Sequence, residues 1–344
     1  MLFRYIILYV FLCFFLFCAP SIKAIQKYSN IDLKLITDEA DAAILIMEKN
    51  AQHLEINETD WDRLFTSEPY MRLKKREEVM NRPFTDDEFK KFLLSDTLKP
   101  YINLFKITLN NWKSSDLTAT AQKALKYLPK ESKIKAKIYP VIKPKTNSFV
   151  FESDSDPAIF LYLNTNITRE KYENTLAHEL HHIGFAGTCS EEVLADSNKN
   201  YVTMTEWMGA FGEGIAMLAA AGGADIYPHL YSIAADKERW DRDIKNFPDD
   251  LRKLDRFFLD IYNNKLTDKQ IQDTGFSFFG IQGPWYTVGW KMASIVEKKF
   301  GREKLINCLC NMGDLLVLYN KAVYNTDNEK WSAELIDILR KSEK

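Results

Sequence analysis

The sequence predicts a mainly α protein with a small antiparallel β-sheet, an α+β arrangement. Three observations carry this. Residues 32–128 hold apolar side chains at helical spacing. Between 136 and 164 the pattern shifts to short apolar runs bounded by Pro, Asp and Asn. From about 168 to the end, helical spacing returns.

Thr37 and Asp38 open a helix that runs through Ala42, Ile44 and Ile46. Trp61, Leu64 and Phe65 share one face of a second, and core packing accounts for them. Thr85 with Glu88 three residues on forms a capping box ahead of Phe89, Phe92 and Leu93. Three short strands are expected, at 138–142, 149–151 and 158–163. Pro140 has no ladder donor and predicts an edge position for the first. The domain reading is a leader (1–24), an N-terminal helical region (25–130), and a catalytic region (131–344) packed with it as one unit.

With 46% hydrophobic and 27% charged residues, the chain has material for a core and does not resemble a disordered one. A formal net charge of -2 argues against a nucleic-acid partner. Arg4 precedes an apolar run over residues 5–17, and small and polar residues follow to Ala24. This reads as a signal peptide cleaved after Ala24; uncleaved, it would be an N-terminal anchor. Cys13 and Cys18 follow large residues and lack a lipid-attachment context. Losing Arg4 and Lys23 takes the charge to -4, and no later segment is apolar for long enough to span a bilayer. The expectation is an exported protein with no membrane span after leader removal. Cys189, Cys308 and Cys310 are too few for a disulfide framework and read as small apolar fillers. Cys308 and Cys310, two apart on a helix, would point to different sides.

Only five histidines occur, and three fall within residues 178–182: His178-Glu179-Leu180-His181-His182. On a helix, residues four apart share a face, so His178 and His182 can present ring nitrogens to one ion. Glu179 then stands beside a solvent molecule on that ion, the position of a general base. Thr168 is the expected N-cap, with Glu170 and Glu173 near the positive end of the dipole. Gly184 and Gly187 close the helix. His181, off the best ligand geometry, is assigned to a supporting or solvent-facing position. A single Zn2+ is the implied cofactor, and catalytic zinc needs a third protein ligand and an open position.

No third histidine follows at the H-E-x-x-H-x-x-G-x-x-H spacing, so the third ligand is expected to be a carboxylate. The candidates are Glu191, Glu192, Asp196, Glu206 and Glu213. The first two follow the closing turn too soon for a returning helix. Glu206 and Glu213, seven apart, share a face of a helix over about 203–221. Gly209, Gly212 and Gly214 lie in that helix, where each glycine costs about 1 kcal/mol, so they imply close approach of another backbone. The zinc helix is the expected neighbour. Glu213, between Gly212 and Gly214, is the first choice and Glu206 the second, with the other left to accept a histidine N–H.

These residues resemble the gluzincin metallopeptidases, whose third ligand is a glutamate on the helix after the H-E-x-x-H helix. More narrowly the chain is similar to a bacterial family of zinc-dependent peptidases. The matching segments are Trp61 to Arg76, His178 to His182, Gly212 to Ala216, and Gly283 to Phe300 followed by Gly301-Arg302-Glu303. The resemblance implies a zincin-like fold, ligands His178, His182 and Glu213, Glu179 as base, and a peptide or protein substrate. Gluzincins use a tyrosine or histidine to stabilise the oxyanion, which points to Tyr286 in its glycine-flanked segment, with Tyr227 and His229 as alternatives. The resemblance also suggests that strand 158–163 edges the cleft and pairs with an extended peptide. Two other readings are a zinc-dependent hydrolase of a non-peptide amide or ester and a non-catalytic exported metal-binding protein. Glu179 favours catalysis, because a structural site has no use for a base beside solvent.

Overall fold

The computed structural model describes residues 29–153, 155–189 and 198–341. The leader with Cys13 and Cys18, and the candidates Glu191, Glu192 and Asp196, lie outside the described residues. The order is β1 (Ile31–Leu35), α1 (Asp38–Ala51), α2 (Glu58–Phe65), α3 (Glu68–Val79), α4 (Asp86–Leu93), α5 (Ile102–Lys113), α6 (Leu117–Leu125), β2 (Ile134–Val141), β3 (Phe149–Phe151) and β4 (Ala158–Tyr162). Then follow α7 (Arg169–Ala186), α8 (Lys199–Met208), α9 (Gly212–Ala221), α10 (Ala234–Asp243), α11 (Phe247–Tyr262), α12 (Asp268–Ser277), α13 (Pro284–Phe300), α14 (Arg302–Ile306), α15 (Met312–Ala322) and α16 (Ala333–Lys341). The Thr85–Glu88 capping box is formed at α4. No helix among the described residues is long and apolar enough to cross a membrane.

The fold is mainly helical with one small sheet, but the sheet is mixed rather than antiparallel. Its order is β1-β2-β4-β3, with β1–β2 and β2–β4 parallel and β3–β4 antiparallel. Parallel neighbours need a long crossover, and six helices supply it between β1 and β2. The short 152–157 connection between β3 and β4 permits only the antiparallel arrangement. β1 also falls within the segment expected to be wholly helical. β4 is an interior strand flanked by β2 and β3, so its ladder positions are already taken and it is no free edge for an extended peptide to pair with.

Pro140 sits in the central strand β2, not at an edge. The backbone explains why this is tolerated. Lys137 donates to the Pro157 carbonyl, and the Val141 carbonyl accepts from Leu163, so odd-numbered residues face β4. The Ile138 carbonyl accepts from Ile36 at 2.9 Å on the β1 side, where β1 then ends. The missing donor of Pro140 points past that end and costs no ladder bond. Beyond it, the Glu39 carboxylate of α1 accepts from the Ile142 N–H at 3.1 Å. Glu39 is wholly buried, and burial pushes its pKa up to about 8 against the pull of that N–H and of Lys143.

A continuous apolar core runs from α1 through the sheet to α16, so the N-terminal helices and the later ones share one interior. On α7, Leu176, Leu180 and Ile183 face inward. A Cβ on Gly184 would lie 2.4 Å from Leu128 Cδ1 and 3.1 Å from Ile134 Cγ1, so its absence lets α7 settle against the start of β2. Gly184 therefore serves packing inside the helix, while Gly187 is the C-cap.

Cys189 and Cys310 form a disulfide across 121 residues, which corrects the reading of three apolar fillers. It joins the exit of α7 to the turn before α15. Among the described residues Cys308 alone is a free, buried thiol, and both Cys308 and Cys310 lie in the turn after α14 rather than on a helix.

Cys310→Ser, or reduction, should lower unfolding free energy by about 2–5 kcal/mol in denaturant titrations, as expected for a long closed loop. Glu39 is raised in the folded state, so its contribution is present below the unfolded carboxylate pKa and is lost as pH rises toward about 8. Glu39→Gln should flatten the wild-type fall in stability between about pH 5 and 8; an unchanged slope would refute the assignment.

Candidate metal centre

Helix α7 starts where its cap chemistry dictates: the Thr168 side chain accepts from the Lys171 N–H, and Glu170 lies in the first turn. With one face of α7 buried on the core, His178 and His182 stand one turn apart on the other. Their Nε2 atoms are 3.0 Å apart, with the rings nearly perpendicular at 84°. Glu213 Oε2 lies 3.1 Å from His178 Nε2 and 3.2 Å from His182 Nε2. Among the described residues, this is the one group of three or more His, Cys, Asp or Glu side chains that could hold a metal ion.

Glu213 arrives by a route that differs in detail from the sequence expectation. The segment 203–221 is not one α-helix: a 3₁₀ turn at Gly209–Phe211 separates α8 from α9, and Glu213 sits in the first turn of α9. Over three residues the tighter winding adds roughly 60° of rotation relative to an α-helix. Across seven residues this takes Glu206 and Glu213 from about 20° apart on one side to about 40° apart on the other, so the extra winding alone does not part them. Glu206 is exposed and does not join the three converging atoms. His178 Nδ1 is buried without a protein partner, so Glu206 does not accept from it either.

The glycines do permit close backbone approach, but the neighbour is α13, not α7. A Cβ on Gly214 would lie 2.1 Å from the Trp290 nitrogen and 2.6 Å from Gly289 Cα; a Cβ on Gly289 would lie 2.8 Å from the Phe211 carbonyl. Gly212 meets only Met312 Cε at 4.0 Å, and Gly209 nothing within 4 Å. The crossing brings the first turn of α13 to the site. Tyr286 lies near enough to Glu213 for the carboxylate to act on its phenol, and its ring lies nearly parallel to that of His178, with centroids 6.3 Å apart and planes at 11°. Tyr227 and His229 are occupied elsewhere. The Tyr227 hydroxyl donates to Asp241 at 2.9 Å, and His229 Nδ1 pairs with the Ser232 hydroxyl at 3.0 Å against Trp240.

Burial would raise the Glu213 pKa, but His182 and His178 outweigh it and hold the carboxyl well below the usual range. Burial lowers and Glu213 raises His182, with a net rise. Burial and the Glu213 carboxylate push the Tyr286 phenol far up, so it keeps its proton. The Glu179 carboxylate acts electrostatically on both His182 and Tyr286. His181 is not solvent-facing: it is buried, its Nε2 lies 3.3 Å from the Tyr127 carbonyl, and burial lowers its pKa to about 3.

The donor set fits zinc. Three atoms at about 2.0–2.1 Å from a tetrahedral ion stand about 3.3–3.4 Å from one another. The three edges here, 3.0, 3.1 and 3.2 Å, are slightly shorter. Beside His182 and Glu213 opens a groove of about 660 Å³, walled partly by Phe185, Trp207 and Phe276. The sequence gives no sign of it, since such aromatics read there as core.

Two imidazoles and a carboxylate converging beside a solvent-accessible groove, with a further carboxylate one residue along the helix, are the components of a zinc-dependent hydrolase. Comparison with known families narrows the class to a peptidase. Residues 61–328 match the family described as putative zinc dependent peptidase (DUF5700), and the chain belongs to that family. No curated protein and no solved structure gives a match.

Gly214→Ala should force apart the α9–α13 backbones and destabilise the protein by about 2 kcal/mol or more, since a backbone neighbour cannot yield. Gly209→Ala meets open space and should be neutral or stabilising by up to about 1 kcal/mol. Paired denaturant titrations check the contrast.

Proposed function

We propose that the protein is an exported peptidase of gluzincin type, in which His178, His182 and Glu213 hold one zinc ion and Glu179 is the general base. The convergence of those three donors within 3.2 Å of one another carries the reading. Zinc, when bound, supplies Lewis acidity and lowers the pKa of its water to about 7. Glu179 accepts the proton of the water whose oxygen attacks the scissile carbonyl carbon. It then passes that proton to the departing nitrogen as the C–N bond breaks, leaving a carboxylic acid and an amine. Tyr286, kept protonated by Glu213 and by burial, donates its hydroxyl proton in a hydrogen bond to the carbonyl oxygen as charge develops there. His181 supports the helix from behind by pairing with the Tyr127 carbonyl.

The family match supports a peptide bond as the target rather than another amide or ester. Export is supported by the leader pattern of residues 1–24 and by the Cys189–Cys310 bond, since disulfides persist in oxidising compartments.

Glu179→Gln should retain one equivalent of zinc by elemental analysis while peptide cleavage falls by about 10²–10⁴-fold; undiminished cleavage would refute its role. His182→Ala should lose the zinc, and full occupancy in that variant would contradict the ligand set.

A further inference from the structure

The groove beside the donors shares His182 and Glu213 with them, so whatever lies in it runs against the reacting centre. Its volume, about 660 Å³, falls within the range of about 300–1,000 Å³ usual for ligand sites. Phe185 lies one turn beyond His182 on α7; Trp207 and Ala210 come from α8 and the turn after it; Ile271 and Phe276 come from α12.

These five residues form a packed apolar stretch, open to solvent, in a groove that Thr203, Gln272 and charged side chains also line. Trp207 packs against Gly275 so closely that a Cβ there would lie 2.4 Å from its ring. Its ring also stacks on Trp285, with centroids 6.3 Å apart, and meets Phe276 edge-on at 5.4 Å. Phe276 is nevertheless 64% exposed. An ordered aromatic surface left in water gains free energy when an apolar group covers it, and its rigidity keeps the ordering cost low. The rim carries exposed Glu206 and Asp268 against a single lysine, Lys199, which disfavours an acidic occupant.

We propose that this groove is a specificity subsite that receives a large apolar or aromatic side chain of the peptide substrate, beside the scissile bond on the His182 side. The inference rests on the zinc-peptidase reading and extends it to a substrate class.

Gly209 lines the groove and has right-handed helical backbone angles, and a Cβ added to it would meet nothing within 4 Å. Gly209→Phe can therefore fill the groove without backbone strain. Zinc-loaded full-length protein is presented with matched blocked peptides carrying Phe, Leu, Ala or Glu at each position in turn. Wild type should favour Phe or Leu over Ala at one position by about tenfold or more in kcat/KM, and Gly209→Phe should reduce that ratio by about tenfold. Phe276→Ala, an exposed position, should reduce it too and guards against misfolding of the first variant. Calorimetric binding of the Phe and Ala peptides to the zinc-loaded Glu179→Gln protein gives a readout without turnover. Tighter binding of the Phe peptide, weakened when Gly209→Phe is added, supports the subsite even if wild type cleaves none of the peptides, which would count against the peptidase reading alone. Equal binding of Phe and Ala peptides, or a ratio unmoved by both groove variants, overturns the subsite.

Discussion

The site depends on one backbone contact, the crossing of α9 and α13 at Gly214 and Gly289. Any side chain at Gly214 would enter the main chain of α13, and any at Gly289 would meet the Phe211 carbonyl. Two consequences follow from the same crossing. Glu213, one residue before Gly214, is held against the imidazoles of α7. Tyr286, one turn before Gly289, is brought close to that carboxylate. A glycine inside a helix costs about 1 kcal/mol, and here each offsets that cost by allowing an approach no other residue permits. Glu213 and Tyr286 are thus positioned by one packing event, not by two independent ones.

The other half of the site is fixed from below. Helix α7 rests on the start of β2 through Gly184, and β2 is completed on its far side by Glu39 where β1 stops. The N-terminal region accordingly supplies a strand and a hydrogen-bond-accepting carboxyl group to the layer that carries α7. At the site itself the charges are arranged for a cation. Glu213 stays ionised although buried, because two imidazoles face it. Metal ligands must be deprotonated, so a dication held by these donors would displace protons on binding.

What is legible in the sequence is mostly local. The spacing of His178 and His182 and the caps at Thr168 and Thr85 depend on neighbours within a few residues, and all of these helical features are present. The glycines around Glu213 do signal a close backbone, but it belongs to a helix some 75 residues later rather than to α7, and no local pattern can identify it. Strand direction is hidden for the same reason, since the β1–β2 pairing is set by a six-helix crossover. Pro140 misleads because the rule concerns a lost hydrogen bond, and here β1 ends before that bond would form. The Cys189–Cys310 pair, 121 residues apart, leaves no trace in spacing. His181 differs from His182 by one position, yet the 100° step of the helix turns it from the site into the core, against the Tyr127 carbonyl.

The 3₁₀ turn at Gly209–Phe211 couples the metal site to the groove. In an unbroken helix, Glu206 and Glu213 would both face α7, and two carboxylates would compete for the same pair of imidazoles at a cost in mutual repulsion. In the structure only Glu213 joins the imidazoles, and Glu206 is exposed. Glu213 goes to the donor triangle, while Glu206 goes to the rim of the groove next to Trp207. Gly209 lines that groove, and a Cβ there would meet nothing within 4 Å.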